Sequence, residues 1–482
     1  MDGKADTGHC AMPWLQNGHP LIAIDVTGRC NLRCIHCYNA EFLPKSLSRQ
    51  QVSRILTQSP SDWKIYFLGG EPLVRRDILS ILSESVSLGH PTSLATNATL
   101  IKRIGAEQLL DTGIGEIYVS LDGADEESND RIRGKGSFAA IVEGLLALED
   151  AAYGREFSLN VSVTACSPNI SSIERLPAFL DDLGIHVDKL GVMPVSPTGR
   201  GADNLELLIS EHQWLDLCES LCARWKHYSR LVFLCIANSE LAVRYLEARH
   251  GIFLNECVAD CRVARKTDAC RVLADGSVVP CSGRLDLIER LEAEGIFHPL
   301  RAETFTTTNA SIPFPGFIDD MSQHLKLQNP VCDQCPYHAQ CQVCPLEVRY
   351  NTKPRMSRSA VCAEVWKRVE ETGVTLATED TEAEALCTGA PDYADIAIDP
   401  TVYDRELRDG RLVVICPRDQ SYHVLDKIGA QFWRSLRQHQ RLDKAGGNYL
   451  AAHSDKSTGV SRLSYLLTTL RDAKVISEVL PC

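Results

Sequence analysis

Three observations predict an α/β protein built on a parallel sheet. Short apolar runs alternate with amphipathic stretches from about residue 20 to 245. The connections between those runs are long enough for crossover helices. The texture then changes, first to Cys-rich sequence beyond 250 and, from 396, to a small α+β pattern. The expected division is an N-terminal extension (1–18), the α/β unit (19–245), a Cys-rich unit (250–365), an acidic linker (366–395) and a compact C-terminal unit (396–482).

The first strand is PLIAIDV (20–26), and SRQQVSRILTQ (48–58) follows as a helix with Ser48 and Gln51 spaced as a capping box. Strand KIYFL, helix DILSILSESVSLG, strand TSLAT and helix TLIKRIGAEQLLDTG continue the alternation. It runs on through EIYVSLD, a helix beginning at Ser137, FSLNVSVT, a helix after Asn169, and VDKLGVM. Six strands joined by helices imply right-handed crossovers and a parallel sheet, open or curled, with function at the C-terminal strand ends. Residues 379–395 hold six acids and no Lys or Arg, which reads as linker. In the C-terminal unit RLVVICP and SYHVL read as strands, with helices near 427–438, 442–452 and 459–472 and Asp426 as an N-cap.

The composition, 23% charged and 44% hydrophobic over 482 residues, is ordinary for a chain of several globular domains. No run of eighteen apolar residues and no secretory leader is seen, so a cytoplasmic protein with no membrane partner is expected. The net charge of −13, from 63 acids against 50 bases, disfavours nucleic acid as a partner. The 20 cysteines suggest metal or redox chemistry where they cluster. Those that stand alone (Cys10, Cys166, Cys218, Cys222, Cys235, Cys387, Cys416, Cys482) read as small apolar residues or inert thiols.

GRCNLRCIHCY (28–38) places Cys30, Cys34 and Cys37 within eight residues and supplies no fourth ligand. Structural zinc closes a tetrahedron, whereas three thiolates can hold three irons of a cubane and leave the fourth iron open to a non-protein ligand. CNLRCIHC after a first strand resembles the signature of radical S-adenosylmethionine enzymes. In that family the methionine group of S-adenosylmethionine chelates the open iron, and reductive cleavage yields a 5′-deoxyadenosyl radical. Supporting motifs end the next strands: LGGEPL (68–73), TNAT (96–99) and SLDG (120–123). By this resemblance Gly69, Gly70 and Pro72 shape the backbone around the cofactor and Glu71 accepts from its amino group. Asn97, Ser120 and Asp122 lie near its ribose and carboxylate, with Arg133 of DRIRG beside them. His36 packs by the adenine or faces solvent. The fold implied is a partial (β/α)6 barrel over residues 18–245. The competing reading is a zinc knuckle followed by an unrelated Gly-Gly-Glu-Pro turn.

The later cysteines resemble the SPASM extension of such enzymes, which holds two auxiliary [4Fe–4S] clusters. The resemblance assigns Cys332, Cys335, Cys341 and Cys362 to an outer cluster and Cys261, Cys281 and Cys344 to an inner one. The inner fourth ligand is Cys257, with Cys270 or none as alternatives. Two residues separate Cys341 from Cys344 where the family usually has three. A zinc ribbon is the competing reading. The C-terminal unit resembles the peptide-chaperone domain of pyrroloquinoline quinone biosynthesis, a winged-helix-like unit that captures a leader peptide by strand addition. This points to SYHVL and to the helix with Leu463, Leu466, Leu467 and Leu470. A winged helix serving DNA or dimer contacts is the alternative.

Together these imply a radical enzyme with S-adenosylmethionine and three [4Fe–4S] clusters. It would abstract hydrogen from a ribosomally made precursor peptide held by its leader and form a thioether or carbon–carbon crosslink. A flavodoxin- or ferredoxin-type electron donor is the further partner. The alternatives are a peptide epimerase, a sulfatase-maturating-type Cys/Ser oxidase, and a metal-cluster regulator that binds DNA. Unaffected turnover after deletion of 396–482 would favour the oxidase. No acid or base is assigned.

Overall fold

The computed structural model describes residues 20–39, 45–236, 239–254, 269–280, 285–296, 298–306, 314, 330–338, 341, 358–376, 396–417, 421–440, 445, 449, 466–467, 470–471 and 475–478. Its main sheet contains β1 (Leu21–Thr27), β2 (Lys64–Gly69), β3 (Thr92–Thr96), β4 (Glu116–Ser120), β5 (Ser158–Ala165), β6 (Val187–Pro194) and β7 (Leu231–Ile236). β8 (Ala269–Val272), β9 (Ser277–Val279) and β10 (Leu300–Arg301) complete it, in the order β10-β9-β8-β1-β2-β3-β4-β5-β6-β7. β1 to β7 pair in parallel with their neighbours and β8 runs parallel to β1. β9 and β10 are antiparallel additions.

The sheet is therefore larger than the six strands read from the sequence. LVFLCI forms β7, reached through the helix Glu211–Arg224. Its apolar run gives no alternation, because β7 is buried on both faces. The Cys-rich segment contributes β8 to the barrel sheet and does not stand apart from it. The helix expected after β3 is broken at Gly105, whose φ of +98° divides it into Ile101–Ile104 and Ala106–Leu110. The helix Arg358–Thr372 runs across the 365/366 boundary between the Cys-rich unit and the linker.

Alternation sorts the strands into two faces. Ile22, Ile24, Val26, Ile65, Phe67, Leu94, Ile117, Val119, Leu159, Val161, Leu190 and Val192 are buried in one apolar core. The other face is polar: the register aligns Ala23, Tyr66, Ser93, Glu116 and Ser158 in one row, and Ala95, Tyr118, Asn160, Lys189 and Phe233 in the next. At the N-terminal end of that face Lys64 and Ser93 bond the Glu116 carboxylate at 2.6 and 2.8 Å. This satisfies a carboxylate that burial would otherwise penalise. The Ser48–Gln51 capping box is present.

In the C-terminal segment β11 (Ile396–Ile398) pairs with β15 (Ile476–Glu478), and β12 (Tyr403–Glu406), β13 (Leu412–Cys416) and β14 (Ser421–Leu425) form an antiparallel meander. Asp426 caps the helix Lys427–His439 by accepting from Gly429 N. One face of the meander (Leu412, Val414, Cys416, Leu425) packs with Phe432, Trp433 and Leu436. Leu470 is buried in that cluster and Leu466 and Leu467 pack against it, while Leu463 lies outside the described residues.

The other face joins the barrel core through Tyr403, Val413 and Ile415. Tyr422 stacks edge-on against Phe233 of β7 at 5.1 Å. Arg405 donates to the carbonyls of Leu231 and Trp225 at 3.0 and 3.1 Å. Arg408 bonds Glu149 and the His186 carbonyl at 2.7 and 2.8 Å. Leu231 opens β7 and His186 precedes β6, so the unit docks at the N-terminal end of the barrel. Among the described residues no helix is long and apolar enough to cross a membrane.

Candidate active site

The three cysteines Cys30, Cys34 and Cys37 lie on the loop that leaves β1. Gly69 and Gly70, at the end of β2, cradle the start of that loop. A Cβ on Gly70 would fall 2.2 Å from the Arg29 carbonyl oxygen, and one on Gly69 would fall 2.3 Å from that of Thr27. The backbones approach so closely that Gly70 N bonds the Thr27 carbonyl and Glu71 N that of Arg29, each at 2.8 Å. No side chain fits there.

Glu71 is 1% exposed. Its carboxylate accepts from Leu73 N at 3.0 Å, the Thr96 hydroxyl at 2.8 Å and Asn97 N at 2.7 Å. Burial pushes the carboxyl up to about 7 despite those bonds. It thus ties the end of β2 to the end of β3, and one of roughly four acceptor positions is left for a further donor. Pro72 begins the short turn that follows. Asn97 reaches back to the cysteine loop, with its amide on Asn31 Oδ1 at 2.9 Å and 3.9 Å from Cys30 Sγ. Leu32 N also donates to Cys30 Sγ, at 3.4 Å.

From the other side, Asp122 beyond β4 is fully buried. Its Oδ2 lies 2.6 Å from His36 Nε2 and 2.7 Å from Arg133 Nε, while Oδ1 accepts from Thr164 N at 2.8 Å. Burial would raise this carboxyl, but the charge of Arg133 and then His36 holds it well below the usual carboxylate range. His36 is therefore bound to Asp122 and does not face solvent. The Nε–H of Arg133 is in ionic contact without hydrogen-bond alignment. Ser120 is half-buried at the end of β4.

Burial pushes the Cys30 thiol up to about 11, with Glu71, Cys34 and Cys37 adding to the rise. Burial likewise raises Cys34, against the pull of Arg133. A bound metal reverses this, since a coordinating thiol is deprotonated. Three sulfur donors, polar N–H groups aimed at one sulfur, and a glycine cradle fit a three-cysteine iron–sulfur cluster. Among the described residues no group of three or more His, Cys, Asp or Glu is gathered to hold a single metal ion.

Sequence reasoning missed a second grip on the loop. After β6, Arg200 N donates to the Cys37 carbonyl at 2.9 Å and Arg200 Nη1 to that of Cys34 at 3.2 Å. Asn204 donates to Ile35 O at 3.2 Å. Gly199, at φ +55°, lies so close that a Cβ would meet the Tyr38 and Cys37 carbonyl oxygens at 2.4 and 2.5 Å. The available signal is the turn-rich SPTGRGADN at the end of β6. Also missed was Arg271 of β8, buried in the barrel, which holds Asp25 of β1 through Nε and Nη2 at 2.9–3.1 Å and reaches the Tyr38 hydroxyl at 3.3 Å.

Cys332, Cys335 and Cys341 lie within electrostatic range of Cys362, which sits on the helix Arg358–Thr372. The Cys362 thiol donates to Ser239 Oγ at 3.2 Å. Burial, then Cys341, Cys332 and Cys335, push that thiol up to about 12. Cys270 is buried in β8 within the apolar core. Cys257, Cys261, Cys281 and Cys344 lie outside the described residues.

A parallel sheet with a three-cysteine loop and three supporting motifs at successive strand ends defines a class, and comparison with known proteins agrees. Residues 24–176 match the Radical SAM superfamily, so the chain carries a radical SAM superfamily domain. It is similar to the AdoMet-dependent heme synthase of Oleidesulfovibrio alaskensis, at 33% identity over 41% of this chain and 52% of that protein. It is also similar to the mycofactocin maturase MftC of Mycolicibacterium smegmatis, at 30% identity over 37% of this chain and 45% of that one. The matches span about half the length of these curated relatives. In fold it resembles Streptococcus suis SuiB, solved bound to its precursor peptide SuiA. That likeness has a TM-score of 0.54 at 18% identity and covers 71% of this chain and 76% of SuiB.

Proposed function

We propose that this chain is a radical S-adenosylmethionine enzyme that crosslinks a ribosomally made precursor peptide. One observation carries the reading. The cysteine loop is tied by direct bonds to Glu71 and Asn97 at the ends of β2 and β3 on one side, and to Asp122 beyond β4 and the Ile132 carbonyl of the helix that follows on the other. Cys30, Cys34 and Cys37 would hold the cluster that binds S-adenosylmethionine. When bound, cluster and cofactor would supply a 5′-deoxyadenosyl radical able to abstract hydrogen from an unactivated carbon.

The chain's own residues position and shield. Gly69 and Gly70 let the backbone close over the loop, Glu71 has an acceptor position left for the cofactor's amino group, and Ser120 stands at the rim for its ribose. Cys332, Cys335, Cys341 and Cys362 would hold an outer auxiliary cluster. Cys257, Cys261, Cys281 and Cys344 would hold an inner one, and the burial of Cys270 in the core supports Cys257 as its fourth ligand. Such clusters can carry away the electron left by a crosslink. A flavodoxin- or ferredoxin-type protein would supply the reductant.

The heme synthase and the maturase match similar shares of the chain, so the barrel does not choose between their substrates. The C-terminal unit supports a peptide. β14 pairs with β13 on one side only among the described residues, and an edge strand of that kind accepts another extended segment. Holding the leader there raises the effective concentration of the core peptide at the radical.

The test is anaerobic co-expression with a candidate precursor encoded beside this chain, followed by mass spectrometry. Loss of two hydrogens supports a crosslink. Unchanged mass with one solvent deuteron points to epimerisation, and an added methylene to methylation. If reduced enzyme releases no 5′-deoxyadenosine, the whole reading fails.

A further inference from the structure

The bond between His36 and Asp122 has a consequence for cofactor recognition. Asp122 is held by five groups. Its carboxylate meets His36, Arg133 and Thr164 N, its own N–H donates to Asn129 Oδ1 at 3.0 Å, and its carbonyl accepts from Asn169 at 2.7 Å. A fully buried carboxylate fixed in this way is a rigid pivot. His36 closes it from the cysteine loop, and the same loop bonds the helix Glu126–Arg133 again through Ile35 N to the Ile132 carbonyl at 2.9 Å.

Arg133 is 93% buried by side chain, yet its two terminal nitrogens make no hydrogen bond among the described residues. The charge of Arg133 acts on both Cys34 and Glu71, so the guanidinium lies within electrostatic range of the cysteine loop and of the carboxylate assigned to the cofactor's amino group. An arginine whose Nε edge sits in ionic contact with one carboxylate still has its terminal nitrogens to meet a second carboxylate, which is the planar recognition arginine favours.

We propose that His36 is a positioning residue: by sharing Asp122 it sets the orientation of Arg133, so that the guanidinium recognises the carboxylate of S-adenosylmethionine. Because a carboxylate can only accept, the His36 ring meets Asp122 with Nε2–H as the donor. The inference rests on the reading of the loop as the S-adenosylmethionine site.

The test compares two ligands that differ only in that carboxylate, S-adenosylmethionine and decarboxylated S-adenosylmethionine. Equilibrium binding is measured per loaded cluster on the anaerobically reconstituted full chain. Wild type must prefer S-adenosylmethionine and release 5′-deoxyadenosine on reduction; failure there sinks the parent reading and this inference with it, whereas the variants test this inference alone. In H36F the preference should shrink about 10- to 100-fold, the usual cost of losing a supporting residue behind a ligand-binding group. H36Q, whose amide can still donate to Asp122, should keep most of it. If H36F loads too little iron to measure, H36N serves, because its shorter amide cannot reach Asp122. A preference unchanged in H36F or H36N, or equal losses for both ligands, overturns the proposal.

Discussion

Arg405→Ala should loosen the C-terminal unit from the barrel, and the structure sets the size of the effect. Arg405 is 6% exposed and donates across the interface to the Leu231 and Trp225 carbonyls, at 3.0 and 3.1 Å. Its third bond, to the Asp404 carbonyl, stays within its own unit. The guanidinium also lies over the Tyr403 ring, 5.0 Å from the centroid. Hydrogen bonds involving a charged group contribute about 1.5–3 kcal/mol each. Two interface bonds therefore give about 3–6 kcal/mol, and water reaching the vacated carbonyls brings the expected loss to about 3 kcal/mol. At that value, hydrogen exchange of the β13 amides should quicken by about two orders of magnitude, provided they exchange by opening of this interface. Arg405→Lys, with its charge kept and its fork lost, should fall between. The assay is hydrogen exchange with mass spectrometry on peptides covering 403–425. Wild-type protection in R405A would show that the meander is held by its own core alone and that the interface bonds contribute nothing.

Three further outcomes follow from individual sites. Gly199→Ala drives a Cβ into the Cys37 and Tyr38 carbonyls, so it should lose the cluster of the Cys30–Cys37 loop and keep the auxiliary ones, a drop of about four irons per chain by anaerobic iron and sulfide analysis. Cys362→Ala should lose about four irons from the outer site while reduced enzyme still cleaves S-adenosylmethionine; full iron content would remove Cys362 from the ligand set. Asp188 is buried and its carboxyl is pushed up to about 6, mainly by desolvation. Its folded-state value lies above that of a free aspartate, so the native state holds the extra proton between those values and stability falls as pH rises from about 4 to about 6. Asp188→Asn keeps an acceptor for Leu159 N and should remove that slope, adding roughly 3 kcal/mol at neutral pH. Urea midpoints that depend on pH identically in both proteins would refute this.

The alternation of strand and helix was legible because β1 to β6 are bounded by turn residues and separated by amphipathic helices, and several carry polar residues on alternate positions. β7 was not legible. A strand buried on both faces shows an unbroken apolar run, which periodicity cannot tell from a buried helix segment. Nor could β8 be placed, since its partners in β1 lie 248 residues away in the chain and the link is the pairing of Ile22 with Cys270. The same limit applied inside the site. Cys30, Glu71 and Asn97 belong to local motifs, so their types and spacing announce them. Gly199, Arg200 and Arg271 act through backbone carbonyls and a distant carboxylate, with no fixed offset from the cysteines. His36 was visible in the motif, but its partner Asp122 lies 86 residues on.

The docking of the C-terminal unit also changes how its role is to be tested. Deleting 396–482 looks, from the sequence, like the removal of a tethered module. In the fold that deletion strips Tyr422 from Phe233 and takes Tyr403, Val413 and Ile415 out of the barrel core. It also leaves Glu149 without Arg408. Each of those losses exposes apolar surface or unpairs a half-buried charge, so the truncated barrel would lose turnover whether or not a leader binds. A surviving barrel would still be informative, but a dead one would not. The discriminating change has to spare the docking face and alter only the outer edge of β14, where an added strand would pair. Loss of peptide modification with S-adenosylmethionine cleavage intact is what the leader reading requires, and a joint loss of both would assign the unit to holding the barrel together.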